Sequence, residues 1–335
     1  MSWQVYLKGN PLPWLLEENC PPVRYFTLRE LLNYPADDPL VVETRSTVMN
    51  YPPIRAILDA QYPAGYWVKP GPGYSPKYRS TVWQIILLEQ MGADGCHPQV
   101  QRGCDYVLEH AQAKNGGFGA SGSATASRPP VTRVYHCLNG NLVRALWGLG
   151  CAGDERLTSA ITWQVQAILG EDGVEYPHAG STGPGFACSV NADQPCAWGA
   201  IKALQGLARL PADQRSPQVV AALRVGAEFL LSRDPVQADY PAGDGQISPL
   251  WFRLGFPLTY VADVLENVEV LTRLGYARDE RLKPAIEWLL ARQDGGRWRN
   301  RNAYAGRLWA TIERRGAPSK WVTLRALRVL KAAVE

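Results

Sequence analysis

The 335-residue sequence predicts an all-α protein in which inner and outer helices alternate and close into one two-layer barrel of about six helix pairs. Three observations lead there. First, residues 149–166 return almost unchanged as residues 274–293: both read Leu-Gly, three residues, Asp-Glu-Arg-Leu, two residues, Ala-Ile, one residue, Trp. Self-similarity of this kind marks an architecture built by repetition. Second, a Pro or Ser/Thr near an aromatic residue repeatedly opens an apolar segment, and these segments alternate with others that carry a polar stripe. Uniformly apolar helices belong inside and striped ones outside. Third, a signature follows several striped segments. Gln61 precedes Gly65 and Trp67, Gln112 precedes Gly116 and Phe118, and Gln293, one residue tighter, precedes Gly296 and Trp298.

In chain order, residues 1–22 read as an N-terminal arm and residues 23–335 as the barrel domain. The first inner helix, residues 23–33, follows Pro21-Pro22, and its Val23, Phe26, Leu28, Leu31 and Leu32 recur at roughly helical spacing. Proline at a helix mouth costs little, because the first N–H groups have no intrahelical partner. The other inner helices are expected at residues 82–91, 140–149, 199–210, 261–274 and 322–334, and the outer ones at 47–61, 98–112, 156–166, 217–232 and 282–293. In the signature between pairs, Gln is suited to bond carbonyls at a helix end, Gly to make a left-handed turn, and the aromatic to plug the gap to the next pair. Residues 117–130, rich in Ser, Gly and Ala, carry no P-loop Lys and read as a mobile loop.

Composition narrows the function. At 46% apolar content the chain can bury a large core. No stretch approaches about 20 uninterrupted apolar residues, and no basic start leads into an apolar run, so a soluble cytoplasmic protein without an integral membrane segment is expected. Seven cysteines are an odd number spread widely, which argues for reduced thiols rather than a disulfide framework. A net charge of +4 is too weak to point to nucleic acid. The charge is uneven, however: from Arg292 to the end, eleven Lys/Arg face three Asp/Glu. That basic end suits an anion, or is a solvated helical rim.

With the repeat signature and the helix alternation in hand, the chain resembles the squalene cyclase and protein prenyltransferase superfamily, whose (α/α) toroids carry QW-type repeats. The resemblance runs from about Val23 to the end. It implies a single toroid whose inner-helix N-termini line one central cavity, with a hydrophobic, isoprenoid or aromatic, small molecule as substrate. The residues opening the inner helices then become candidates. Trp67, Tyr78, Arg79, Asn139, Asn141, Trp198 and Trp321 would bind substrate, and Tyr260, Asp263 and Lys320 would act in catalysis. Arg297, Arg299, Arg301, Arg307, Arg314, Arg315 and Lys320, around Trp298, Trp309 and Trp321, would suit a diphosphate-headed isoprenoid or an acidic aromatic compound.

Two chemistries fit this frame. Cys137, Cys188 and Cys196, with His178 as a further ligand, have the residue types zinc prefers, so zinc is the expected cofactor of a transferase- or lyase-type reaction. Prenyltransferase β subunits likewise place Asp and Cys ligands at an inner-helix start, although here the Asp-Cys spacing is longer. Acid-started terpene cyclisation is the alternative. Similar cyclases use an Asp-x-Asp-Asp motif, which is missing here, leaving Asp263 as the substitute acid. A non-catalytic module that binds the same kind of ligand competes with both, and a protein-substrate prenyltransferase would need an α partner. Cys20, Cys96, Cys104 and Cys151 read as buried small residues.

Overall fold

A computed structural model describes residues 3–121, 132–176 and 182–334. It is mostly helical. The described residues form α1 (Leu12–Leu15), α2 (Pro21–Phe26), α3 (Pro39–Thr47), α4 (Pro52–Asp59), α5 (Thr81–Gln90), α6 (Pro98–His110), α7 (His136–Gly148), α8 (Glu155–Leu169), α9 (Ala197–Leu207), α10 (Pro217–Leu231), α11 (Val264–Leu271), α12 (Lys283–Ala291) and α13 (Lys320–Val334). Two small antiparallel sheets join them: β1 (Gly119–Ser121) with β2 (Thr132–Val134), and β3 (Trp298–Arg299) with β4 (Pro318–Ser319). Most of the run expected as a mobile loop lies outside the described residues, and its start, Gly119–Ser121, is a paired strand.

Local chemistry explains where elements depart from expectation. The helix expected over residues 47–61 is divided, because Tyr51 precedes Pro52 and takes the extended conformation that proline imposes on its predecessor. Ahead of the break lies α3, which the sequence reading missed. Pro39 occupies its first turn, and the Asp38 side chain caps it by accepting a hydrogen bond from the Leu40 N–H at 2.9 Å. The fifth inner helix begins three residues late, since Asp263 acts as its N-cap and accepts from the Glu266 N–H at 2.8 Å.

The apolar helices are neighbours of one another: α5 packs on α7, α7 on α9, α9 on α11, α11 on α13, and α13 on α2. The end of α5 returns to the start of the chain, where Gly92 lies under the Phe26 ring and its carbonyl accepts from Arg45. The striped helices pack outside, α6 on α5, α8 on α7, α10 on α9 and α12 on α11. The closest approach is between α7 and α9: a Cβ at Gly140 would stand 2.3 Å from the Lys202 carbonyl oxygen. Only glycine lets the two backbones meet there.

The signature residues tie successive outer helices. Gln61 Nε2 donates to the carbonyls of Gly65 and of Gln99 in α6, at 3.2 and 2.9 Å. Gln112 Nε2 does the same to Gly116 and to Arg156 in α8, at 3.0 and 2.7 Å. Gln293 makes the corresponding bonds to the first residues of the chain, donating to the Tyr6 carbonyl at 3.0 Å and accepting from the Lys8 N–H at 2.7 Å. The similar segments also share their caps. Asp154 and Asp279 each hold the guanidinium and the N–H of the Arg two residues on.

Residues 255–259 are tied to several apolar helices, held at Leu258 by both ends of the Gln90 amide (2.8 Å each), at Thr259 by Asn141 (3.0 Å), at Phe256 by Asn300 (3.0 Å) and at Gly255 by Arg325 (2.9 Å). Beside this segment Lys202 of α9 pairs with Glu266 of α11, both fully buried. Burial pushes the Lys202 ammonium down and the Glu266 carboxyl up from their ordinary values, and their mutual attraction opposes both shifts. Breaking such a pair leaves a bare buried charge. Lys202→Met is therefore expected to cost about 3–5 kcal/mol in chemical denaturation, and Lys202→Met with Glu266→Leu to recover most of it. A single variant as stable as wild type would show that the pair does not hold the core.

Candidate functional site

Residues expected to share a single chamber line separate cavities: Trp321 one, Tyr78 and Tyr260 another. On the side of the inner-helix N-termini lies a cavity of about 380 Å³. Volumes of roughly 300–1,000 Å³ are typical of small-molecule sites. Tyr78, just ahead of α5, Tyr260, ahead of α11, and Tyr304 form its aromatic wall, with Leu250 and Val261 beside them. Tyr78 and Tyr304 face each other at 4.8 Å between ring centroids. Both hold a left-handed backbone, with φ of 71° and 49°. That conformation is unfavourable for bulky side chains and collects at functional sites. The Tyr304 hydroxyl is 2.6 Å from Thr259 Oγ1, which anchors the ring to residues 255–259.

Four guanidinium groups complete the lining: Arg253, Arg301, Arg307 and Arg315. All four are exposed, and among the described residues no carboxylate lies within ion-pairing distance of any of them. Unneutralised like charges around one concavity raise the local concentration of anions. Burial pushes the Tyr78 hydroxyl above its usual range, with Tyr260 and Tyr304 adding to the shift, and pushes Tyr304 up to about 12. Tyr78 and Tyr304 are thus neutral donors at physiological pH, and Tyr260 adds an aromatic face. Lys77 Nζ stands 4.3 Å from the Tyr260 ring centroid, and the Arg79 guanidinium 5.3 Å from that of Trp309.

The thiols form a separate group. Cys188 lies in the loop before α9, and Cys196 caps that helix, accepting from the Gly199 N–H at 3.4 Å. A hydrogen bond from the Cys196 thiol, helped by the N–H groups of Val190 and Asn191, lowers Cys188 to about 6. Cys196 shifts the opposite way, first through the same bond and then through burial. Cys137 is pushed up to about 12 by burial, with the Cys188 charge adding to the shift. Cys188 and Cys196 are therefore in contact, while Cys137 feels the Cys188 charge without bonding to either. None of the thiols lines the tyrosine–arginine cavity.

Among the described residues no group of three or more His, Cys, Asp or Glu side chains is arranged to hold a metal ion. His178 lies outside the described residues. His136, next to Cys137, is buried, with its ring nitrogens at Gly183 O (3.0 Å) and Gln164 Nε2 (2.6 Å), and burial lowers it to about 4. It is neutral and committed to structure. Cys188 and Cys196 form a thiolate–thiol pair.

The remaining candidates scatter. Asp263 accepts from Glu266 N and Gly255 N and faces Arg325 at 3.5 Å, so the expected acid is a capping, ion-paired carboxylate. Lys320 bonds Glu17 and Asn19 at 2.8 and 2.5 Å and fixes the N-terminal arm. Trp67 is fully buried and donates to the Ile57 carbonyl, and Asn139 bonds Phe118, Ala160 and Gln164. Asn141 holds residues 255–259 through Thr259, and Trp198 packs near Trp251. Trp321 stacks on Phe256 at 4.1 Å, facing the opposite end. Of the residues expected to act on substrate, the cavity takes Tyr78 and Tyr260, with Arg79 near its edge. Arg253 and Tyr304 were missed, because neither opens a helix.

No family model matches this sequence, and neither does any curated protein. Among solved structures, a crystal structure of a protein from Actinoplanes is similar at 13% identity and a TM-score of 0.29, over 87% of this chain and 100% of that one. A likeness at that level carries no argument about fold or function.

The thiol geometry sets a reactivity order. With its proton lost near pH 6, Cys188 is mostly thiolate at neutrality and should alkylate with iodoacetamide before Cys196 and Cys137. Followed by peptide mass spectrometry, its rate should rise through a midpoint near 6, and Cys196→Ala, which removes the donor, should move that midpoint upward. An unchanged midpoint in the variant would refute the sulfur–sulfur hydrogen bond.

Proposed function

We propose that the chain is a single (α/α) toroid that binds a small molecule with a polyanionic head and an apolar or aromatic body, and acts on it as a transferase- or lyase-type enzyme. One observation carries this reading: four unpaired arginines and three tyrosine rings share one cavity at the N-terminal ends of the inner helices. Ring closure draws support from the neighbour order of the inner helices and from the Gln293 bonds to Tyr6 and Lys8. The chemistry follows from the lining. Arg253, Arg301, Arg307 and Arg315 neutralise charge as a diphosphate departs, and guanidinium forks suit phosphate oxygens. Tyr78, Tyr260 and Tyr304 offer π faces to the carbocation left behind.

Geranyl diphosphate tests it. Calorimetric titration is expected to give binding that weakens about tenfold or more when Arg253→Gln and Arg307→Gln are combined, since charge-assisted bonds are among the strong ones. Geraniol, lacking the head, should bind far more weakly. Release of pyrophosphate on mixing marks an enzyme; tight binding without release marks the binding module. Equal affinity of wild type and double variant would remove the site.

The contact between Cys188 and Cys196 favours one second reading, zinc assistance through Cys137, Cys188 and Cys196 with His178. Purified protein would then hold about one zinc per chain, lost in Cys196→Ala, and metal-free folded protein would dismiss it.

A further inference from the structure

A second cavity, of about 370 Å³, opens at the other end of the inner helices, lined by their C-terminal halves. Five arginines face it, Arg144, Arg209, Arg273, Arg325 and Arg328, against three glutamates, Glu30, Glu89 and Glu269. Its floor is aromatic, made by the stacked Phe256 and Trp321 with Phe26 edge-on to Trp321 at 6.2 Å.

The glutamates do not exhaust the guanidinium donors. Glu89 pairs with both Arg144 and Arg209, Glu269 with Arg325 at 2.8 Å, and Glu30 with Arg328 at 2.5 Å. Arg273 has no carboxylate within ion-pairing distance among the described residues. Arg144 Nη2 and Arg209 Nε are buried atoms with no hydrogen-bond acceptor, and Arg144 is 5% exposed. A buried donor left unmade costs free energy until an acceptor arrives. Helix C-termini do attract cations. That does not account for these groups, because the partners of Arg144 are Glu89 and the Gln205 side chain, not helix-end carbonyls. Burial lowers Arg144 and Arg209 to about 10, and for Arg209 the neighbouring Arg273 and Arg328 add to the shift. Both remain cationic at neutral pH, and with Asp263, which pairs with Arg325, counted beside the three glutamates, five arginines meet four carboxylates.

We infer that this cavity is a binding site for a small phosphomonoester, whose dianionic head meets Arg144, Arg209 and Arg273 and whose apolar or aromatic body lies on Phe256 and Trp321. A phosphate head is drawn by the arginine charge the carboxylates leave uncompensated, and its oxygens supply the acceptors that Arg144 Nη2 and Arg209 Nε lack among the described residues. The stacked rings give the body a flat apolar surface. The site uses no residue of the tyrosine–arginine cavity and stands whether or not that cavity binds a diphosphate.

Phenyl phosphate is the probe, with inorganic phosphate beside it, titrated calorimetrically into the full chain. Phenyl phosphate is expected to bind more tightly than phosphate. Arg273→Gln, which removes a mouth arginine without breaking an ion pair, should weaken both by about tenfold. Phe256→Leu should weaken phenyl phosphate and leave phosphate unchanged. The Arg253→Gln/Arg307→Gln variant, altered at the opposite end, should leave both unchanged. No heat at about 10 mM ligand overturns the assignment, as does binding unaffected by Arg273→Gln or abolished by the opposite-end variant.

Discussion

Much of this molecule depends on one packing constraint: residues 255–259 lie among apolar helices and need polar side chains from them as partners. Peptide groups in a core must find partners, since an unmade bond there costs more than a made one gains. Four side chains meet that demand: Gln90 from α5, Asn141 from α7, Arg325 from α13 and Asn300 from the loop after β3. Each is polar in a setting that otherwise selects Leu, Ile and Val. Their burial is explained by the segment, and the segment is held in place by them. The two larger cavities share no lining residue, and Phe256 and Leu258 of this segment line one of them.

The neighbouring Lys202–Glu266 pair obeys the same logic with full charges. Desolvating an ammonium and a carboxylate costs several kcal/mol apiece, roughly offset by their attraction, so the pair adds little net stability. What it does is exclude alternatives. Lys202 can point inward only if α11 presents Glu266 at that height, and Gly140 lets the backbone of α9 come close enough to α7 for the register to hold. The adjoining Arg144 and Arg325 extend the network toward the C-terminal end, where arginines outnumber glutamates and the pairing becomes incomplete.

The sequence carried the helices well and the site only partly, for reasons that are physical. Periodicity and caps are local, so the inner segments, the striped segments and the Gln-Gly-aromatic turns could be read from spacing alone. The departures were local too: Pro52 cutting one outer helix, Asp38-Pro39 opening an unexpected one. Site residues depend on which distant segments meet, which no periodicity encodes. The expectation of one chamber put Cys137, Trp198 and Tyr260 at a common surface, whereas Cys137 and Trp198 stand apart from the cavity that Tyr260 lines. Tyr304 gave no signal, since its role rests on a left-handed backbone and a hydroxyl bonded to Thr259.

The two cavities are both rich in arginine, yet their electrostatics differ in kind. At the N-terminal ends, the partial positive charge of the helices and four exposed guanidiniums act in the same direction, with no carboxylate within ion-pairing distance of them among the described residues. At the C-terminal ends, helix polarity opposes the arginines, and Glu30, Glu89 and Glu269 neutralise most of them. The first environment stabilises the larger negative charge but lies open to water and salt, which screen it. The second holds a smaller excess in a drier setting, where each unmade guanidinium bond matters more. Ligand charge and ionic strength should therefore separate the two ends: salt should weaken binding at the exposed end more than at the buried one.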